Sequence, residues 1–241
     1  MRIRGVLFDV DDTLFDYSGS ERTGLLAHLR DLDLLHRLAS PAAAVALWRA
    51  VTREPYARFL AGELTFAGQQ HERTRLFLAG LGQDGAEHLT DEQAAAWFAG
   101  YTAHRDAAWA AFPDAAPVLD ALAPARRLGV VSNSSTAHQR RKLRAVGLLR
   151  HFDDAVLVCS DEHGEAKPAP GIFLAGCARL GLAPHEVAHV GDRHDLDALG
   201  ARDAGLHAFW LDRHASGAPA GPGVHVLHSL TALPAALDAL P

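Results

Sequence analysis

The sequence predicts an α/β fold: a parallel sheet covered by helices on both faces and interrupted near its start by an all-helical insertion. Short continuous apolar runs, each ending in an abrupt polar cluster and followed by a helical pattern, recur along the chain. Strands buried on both faces read this way, because neither face alternates with solvent. The stretch 17–112 has no such run and carries helix starts instead. The length of 241 residues with 49% apolar content suits one large domain, or one domain with a sizeable insertion, around a real core.

Taken in order, "IRGVLF" opens the sheet just before Asp9. In the insertion, Ser18 with Glu21 and Thr90 with Gln93 fit capping boxes. Ser40 followed by Pro41 fits an N-cap with proline at the first helical position. Leu25, Leu26 and Leu29, and then Trp97, Phe98 and Tyr101, recur at helical spacing. Trp48, Trp97, Trp109 and Phe66 are expected in the core of this insertion. Further strands follow as "LGVV" before Ser132, "AVLVC" before Ser160, "VAHV" before Gly191, "HAFWL" at 207–211 and "VHVL" at 224–227. "SGAPAGPG" at 216–223 reads as a plain connection, and "SLTALPAALDAL" as a closing helix interrupted by Pro234.

The net charge of −6 argues against nucleic-acid binding. No run approaches the roughly 18 to 20 apolar residues of a membrane span. The N-terminus has no signal-peptide pattern, so a cytoplasmic protein is expected. Cys159 and Cys177 are too few for a disulfide scaffold and read as buried thiols. His189, His194, His207 and His214 form no metal-binding helical pair. "HQRRKLR" at 138–144 reads as the solvated face of a helix.

The chemistry gathers at the strand ends. In extended backbone Asp9 and Asp11 point to one side and Val10 to the other. Two carboxylates so close repel, and a bound divalent cation relieves the repulsion. A helix-loop-helix calcium loop is a poor fit, because its sixth and twelfth positions would hold Leu14 and Ser20. "VVSNSS" offers donors from Ser132, Asn133 and their neighbours, "EAKPAPGIF" offers Lys167, and "HVGDRHDLD" offers Asp192, Asp195 and Asp197. Carboxyl ends of parallel strands converge on one crevice. Carboxylates, a metal, a lysine and neutral donors around one point suit phosphoryl transfer.

The set Asp9-Val10-Asp11-Asp12-Thr13, Ser132-Asn133, Lys167-Pro168 and Gly191-Asp192 through Asp197 resembles the haloacid dehalogenase superfamily of hydrolases, with all four motifs in order along the whole chain. The resemblance implies a three-layer Rossmann-like parallel sheet core at 1–16 and 113–241, with a type 1 helical cap at 17–112. It implies Asp9 as nucleophile through an aspartyl-phosphate, and Asp11 as general acid and then base. Ser132, the Asn133 backbone and Lys167 would bind phosphate. Asp9, the Asp11 carbonyl and Asp192 would hold Mg²⁺, with Thr13 and Asp197 in support. Arg53, Arg58, Arg73 and Arg75 could grip a substrate anion, although each singly reads as a surface charge; Tyr17, Arg73 and Arg75 are the candidates for substrate selection by the cap.

An aspartate at position 11 favours phosphate ester hydrolysis over carbon–halogen cleavage. "DDTLFD" and "GELTFAGQQHERTRLF" resemble the nucleotidase and acylneuraminate-phosphatase branch more than phosphoglycolate phosphatases, which commonly carry glycine where Asp12 stands. The expected function is therefore a Mg²⁺-dependent phosphatase of a small phosphorylated metabolite, a nucleoside monophosphate or sugar phosphate, in a monomer or homodimer. The alternatives are a phosphoglycolate phosphatase-like or other hydrolase of the superfamily, or a non-catalytic phospho-sensing module. A phosphonate-type hydrolase would need a cap lysine, and 17–112 contains none. Arg193 stands where relatives often have serine and faces either the phosphate or solvent.

Overall fold

In the computed structural model, which describes residues 3–153 and 156–240, all six apolar runs form strands of one parallel sheet. They are β1 (Gly5–Phe8), β2 (Arg127–Ser132), β3 (Leu157–Cys159), β4 (Val187–Gly191), β5 (His207–Leu211) and β6 (Val224–Leu227). Ala155, the first residue of the run assigned to the third strand, lies outside the described residues, as do Met1, Arg2 and Pro241 of the core segments. The strand order is β3-β2-β1-β4-β5-β6. Gly5 of β1 is in register with Arg127 on one side and Val187 on the other.

Alternation along the buried strands sorts side chains onto two faces. Val6, Phe8, Val130, Val190 and Phe209 pack on one face with Leu119 and Leu122 of α5 (Ala115–Leu122), Leu143 of α6 (Thr136–Ala145) and Leu233 of α10 (Leu233–Asp238). Leu7, Val131, Val158 and Ala208 pack on the other with Phe173 and Cys177 of α8 (Pro170–Leu180), which follows the single-turn α7 (Ser160–His163), and with Ala201 of α9 (Leu199–Asp203). That is the three-layer arrangement. Cys159 and Cys177 are free and buried, and burial pushes both thiols up to about 11. Pro234 starts α10 after a 3₁₀ turn at Leu230–Ala232, rather than interrupting a longer helix. Its ring fits a first turn, where no N–H is needed.

The chain divides into two compact units, Met1–Tyr17 with Trp109–Pro241, and Ser18–Ala108. The second is built by α1 (Tyr17–Asp31), α2 (Pro41–Leu60), α3 (Phe66–Gly80) and α4 (Asp91–Ala107). Ser40 caps α2 through Ala43 N–H, and Thr90 and Gln93 form the full capping box of α4. Ser18 lies inside α1, which already begins at Tyr17, and Glu21 turns toward Arg49 at 3.3 Å. Trp48, Phe77, Leu25, Leu29 and Tyr101 form the core, with Trp97 packed partly against it. Phe66 does not join it and is 59% exposed. Trp109 packs on Phe15, ring centroids 5.7 Å apart, in the α/β unit. Among the described residues no helix is long and apolar enough to cross a membrane.

Candidate active site

β1 and β4 are neighbours, and the chain leaves them toward opposite edges of the sheet. Such a switch point opens a crevice at the strands' carboxyl ends. Asp9 is the first residue past β1 and Asp192 the first past β4. Asp9 N–H donates to the Val190 carbonyl at 2.9 Å, which ties the two ends together. Asp192 N–H donates to Thr13 Oγ1 at 3.0 Å, and the Asp192 carbonyl accepts from the Trp210 indole at 2.9 Å. Thr13 itself is fully buried, and its carbonyl accepts from Arg213 at 2.8 Å. Arg213 also grips Asp114 with two bonds, a brace that the sequence pattern did not reveal.

Lys167 is the hub. Its Nζ donates to Asp9 Oδ1 and to Asp197 Oδ1, both at 2.6 Å. Asp197 Oδ1 also lies 3.0 Å from His189 Nε2, and its Oδ2 accepts from Arg193 N–H at 3.0 Å. A carboxylate only accepts, so His189 carries its proton on Nε2. This explains Gly191. A Cβ there would fall 2.2 Å from Asp197 Cγ, so the close approach of carboxylate to strand end requires glycine. Gly191→Ala is expected to lower stability by about 1–3 kcal/mol through overpacking, read from denaturant unfolding. An unchanged midpoint would show that Asp197 can shift freely.

The carboxylates are not equivalent. Burial pushes Asp9 up to about 7, against the pull of Lys167 and with the push of Asp197 and Asp11. Burial, then Asp9 and Asp197, pushes Asp192 up to about 8. Burial would also raise Asp197, but Lys167 and the His189 hydrogen bond outweigh it and hold that carboxyl below the usual range. Burial opposes the charge on Lys167, and Asp197 and Asp9 more than restore it. Asp9, Asp192 and Asp197 each place one oxygen within 4.8 Å of the others. An oxygen-only donor set of crowded carboxylates fits a hard divalent cation. Asp197 already accepts from three partners, so Asp9 and Asp192 are the better ligands.

Asp11 turns elsewhere. Lys142 Nζ donates to its Oδ1 at 2.6 Å, and Gln139 Nε2 donates to its Oδ2 at 2.9 Å. Gln139 Nε2 also reaches Ser132 Oγ at 2.9 Å. That contact occupies a lone pair of the hydroxyl and leaves its O–H to donate outward. Residues 138–144 are thus not a solvated face throughout: Gln139 and Lys142 are 0% and 2% exposed. Gln139, Lys142 and Leu143 share one face at i, i+3 and i+4, a signal overshadowed by the charges around it.

The Asn133 side chain is a brace, donating to the Lys167 carbonyl at 3.0 Å and accepting from Lys167 N–H at 2.7 Å. What Asn133 can offer a phosphate is its backbone N–H. Asp12 has φ 57°, a left-handed conformation that aspartate or glycine tolerates. Arg193 pairs with Asp195 on the surface at 3.0 Å, so its contribution to the site is its backbone N–H on Asp197.

In the helical unit, Arg75 donates to Asp91 at 2.5 Å and to the Leu89 carbonyl at 2.8 Å, which makes it a brace between α3 and α4. The Arg73 guanidinium lies 4.4 Å over the Trp48 ring. Arg58 pairs with Glu72 at 2.7 Å. The Tyr17 ring lies in the α/β unit, 5.1 Å from Lys142 Nζ.

Residues 3–205 match the haloacid dehalogenase-like hydrolase family. Glyceraldehyde 3-phosphate phosphatase of Methanopyrus kandleri is 32% identical over 206 residues, covering 85% of this chain and 82% of the relative. N-acylneuraminate-9-phosphatase of Rattus norvegicus is 28% identical, covering 99% and 95%. Among solved structures, a HAD-hydrolase from Bacillus subtilis bound to magnesium superimposes with a TM-score of 0.74 at 21% identity, covering 99% of this chain and 100% of that one.

Proposed function

The chain belongs to the haloacid dehalogenase-like hydrolases, and from that premise we propose that it is a Mg²⁺-dependent phosphatase of a small phosphorylated metabolite. The observation that carries this reading is the Lys167 bridge between Asp9 and Asp197 at the switch point, with Asp192 beside it. A buried nucleophilic carboxylate paired with one cation is what an anionic phosphoryl group needs in order to approach it.

In this reading the phosphoryl oxygens bind the Lys167 ammonium, the Ser132 hydroxyl and the Asn133 N–H. Asp9 attacks phosphorus in line, and a P–O bond forms to its carboxylate as the ester P–O bond breaks. Asp11 gives its proton to the departing alcohol oxygen and then takes one from the water that hydrolyses the aspartyl-phosphate. Phosphate leaves and Asp9 is restored. Asp9, Asp192 and the Asp11 carbonyl would hold the cation, which supplies charge neutralisation and in-line orientation of the phosphoryl group. Thr13 supports the site by holding Asp192, and Asp197 by holding Lys167.

The core provides for the phosphoryl group and offers little to distinguish one ester from another. Substrate selection is therefore assigned to the helical unit as a cap, with Tyr17 at the start of its first helix; Arg75, held by Asp91, and Arg73, 8% exposed and stacked over Trp48, brace that unit instead. The phosphatase names of the relatives support a small phosphorylated substrate, of the sugar phosphate class.

The test is a panel of phosphate monoesters assayed with Mg²⁺ and with a chelator, alongside calorimetry of Mg²⁺ binding. Activity should vanish with the chelator. Asp192→Ala should weaken Mg²⁺ by more than about tenfold, the lower end of what losing even an outer-shell partner does. Full activity in chelator would overturn the reading.

A further inference from the structure

Only two of the 23 basic residues are lysines, Lys142 and Lys167; the other 21 are arginines. Both lysines are buried, 2% and 5% exposed, and each donates at 2.6 Å to an aspartate of the first motif. Lys167 takes Asp9 and Lys142 takes Asp11. A chain that uses arginine almost everywhere keeps a compact ammonium at two places, where a point charge with three donors fits and a planar fork does not.

Lys142 does not float in its pocket. Its Nζ sits 5.3 Å from the Phe15 ring centroid and 5.1 Å from that of Tyr17, within cation–π range of both. Lys142 and Gln139 rise from the same face of α6, and between them they hold both oxygens of Asp11. Gln139 shares its amide with Ser132 Oγ, so the carboxyl is fixed relative to the phosphate-binding hydroxyl. Asp11 itself sits in a loop whose next residue is left-handed, and its side chain is 32% exposed. Among the described residues, Lys142 and Gln139 are the side chains that hold its carboxyl.

We infer that Lys142, with Gln139, is a positioning residue that aims the Asp11 carboxyl at the leaving-group oxygen. The inference rests on the phosphatase reading above. A general acid matters most where the departing oxygen is a poor leaving group. Misaiming it therefore penalises alkyl esters and largely spares activated aryl esters, a pattern that a plain packing defect does not produce.

The test compares kcat/KM for p-nitrophenyl phosphate, phenyl phosphate and β-glycerol phosphate in wild type, Lys142→Met, Gln139→Leu and Lys142→Arg. Lys142→Met is expected to lose about 100-fold or more on β-glycerol phosphate, the lower end of a general acid's contribution, and under about tenfold on p-nitrophenyl phosphate. Gln139→Leu should show the same order with smaller losses, and Lys142→Arg, whose planar fork does not fit the place of the ammonium, should leave most of the alkyl ester loss in place. Equal losses on all three esters in folded Lys142→Met and Gln139→Leu, or no loss in either, would overturn the inference while leaving the phosphatase reading intact. A wild type that hydrolyses none of the three would overturn the phosphatase reading and the inference with it. Should Lys142→Met not fold, Gln139→Leu decides the matter by the same ratio.

Discussion

Asp9→Asn is expected to abolish turnover, by roughly three orders of magnitude or more, without unfolding the protein. The amide keeps an oxygen for Lys167 but cannot attack phosphorus. Stability should respond in the other direction. The Asp9 carboxyl ordinarily titrates near 3.8 and is pushed up to about 7 in the fold, burial being the main cause. Between those values the folded state holds a proton that the unfolded chain has released, so stability falls as pH rises through the window. An asparagine cannot ionise. In the absence of divalent cations, thermal unfolding of Asp9→Asn should therefore show a shallower fall from about pH 4 to pH 7 than wild type, and a midpoint at about pH 8 that is equal or higher. Asp192, pushed up to about 8 by burial and by Asp9, keeps part of the slope in both proteins. A variant that retains activity removes Asp9 as nucleophile. One that melts well below wild type at high pH would mean that the ionised carboxylate stabilises this fold.

What the sequence revealed and what it hid follow from where the determining contacts lie. Asp9, Ser132 and Asp192 were legible because each apolar run stops where its strand stops, and the polar residue at that point has one place to go. β5 and β6 run over the same residues as the apolar segments. Lys142 was hidden because its partner lies 131 positions away and its neighbours Arg140, Arg141 and Arg144 give the segment the composition of a surface. Only Leu143 hinted that one side of α6 faces inward. Arg75 misled for the same reason in reverse. An arginine in a helical insertion suggests a grip on anions, yet Asp91, sixteen residues on, already takes its guanidinium. The left-handed Asp12 was invisible as geometry, although aspartate and glycine at that position become one physical requirement once φ is known.

Removal of Lys167 is expected to be the costliest single change to the core. Lys167→Met leaves Asp9 and Asp197 facing each other, 6% and 0% exposed, without the ammonium that separates them. Breaking a buried pair by removing one partner costs about 3–5 kcal/mol, because the surviving charge stays desolvated. Lys142 is the useful contrast, since its partner Asp11 is 32% open and water can take over part of the lost interaction.

The loss should depend on pH. Lys167 itself is raised above its ordinary 10.5, so the stability its charge contributes is fully present below that value and is lost only at higher pH. The carboxylates set the response near neutrality. Without the ammonium, Asp9 loses the charge that opposes its upward shift, and Asp197 loses the strongest force holding it down. Both then bind protons in the fold that an unfolded chain, titrating near 3.8, has given up. Stability of the variant therefore climbs as pH falls from about 8 to about 5, and wild type, whose Asp197 stays ionised, gains less. Urea unfolding without divalent cations should show a gap between the two proteins that is widest at about pH 8 and narrows toward pH 5. Activity should be lost at both, since neither phosphate nor nucleophile is then neutralised. A gap of equal size at the two pH values would mean that Lys167 supports the fold by packing rather than by charge, and the bridge between Asp9 and Asp197 would lose its electrostatic role.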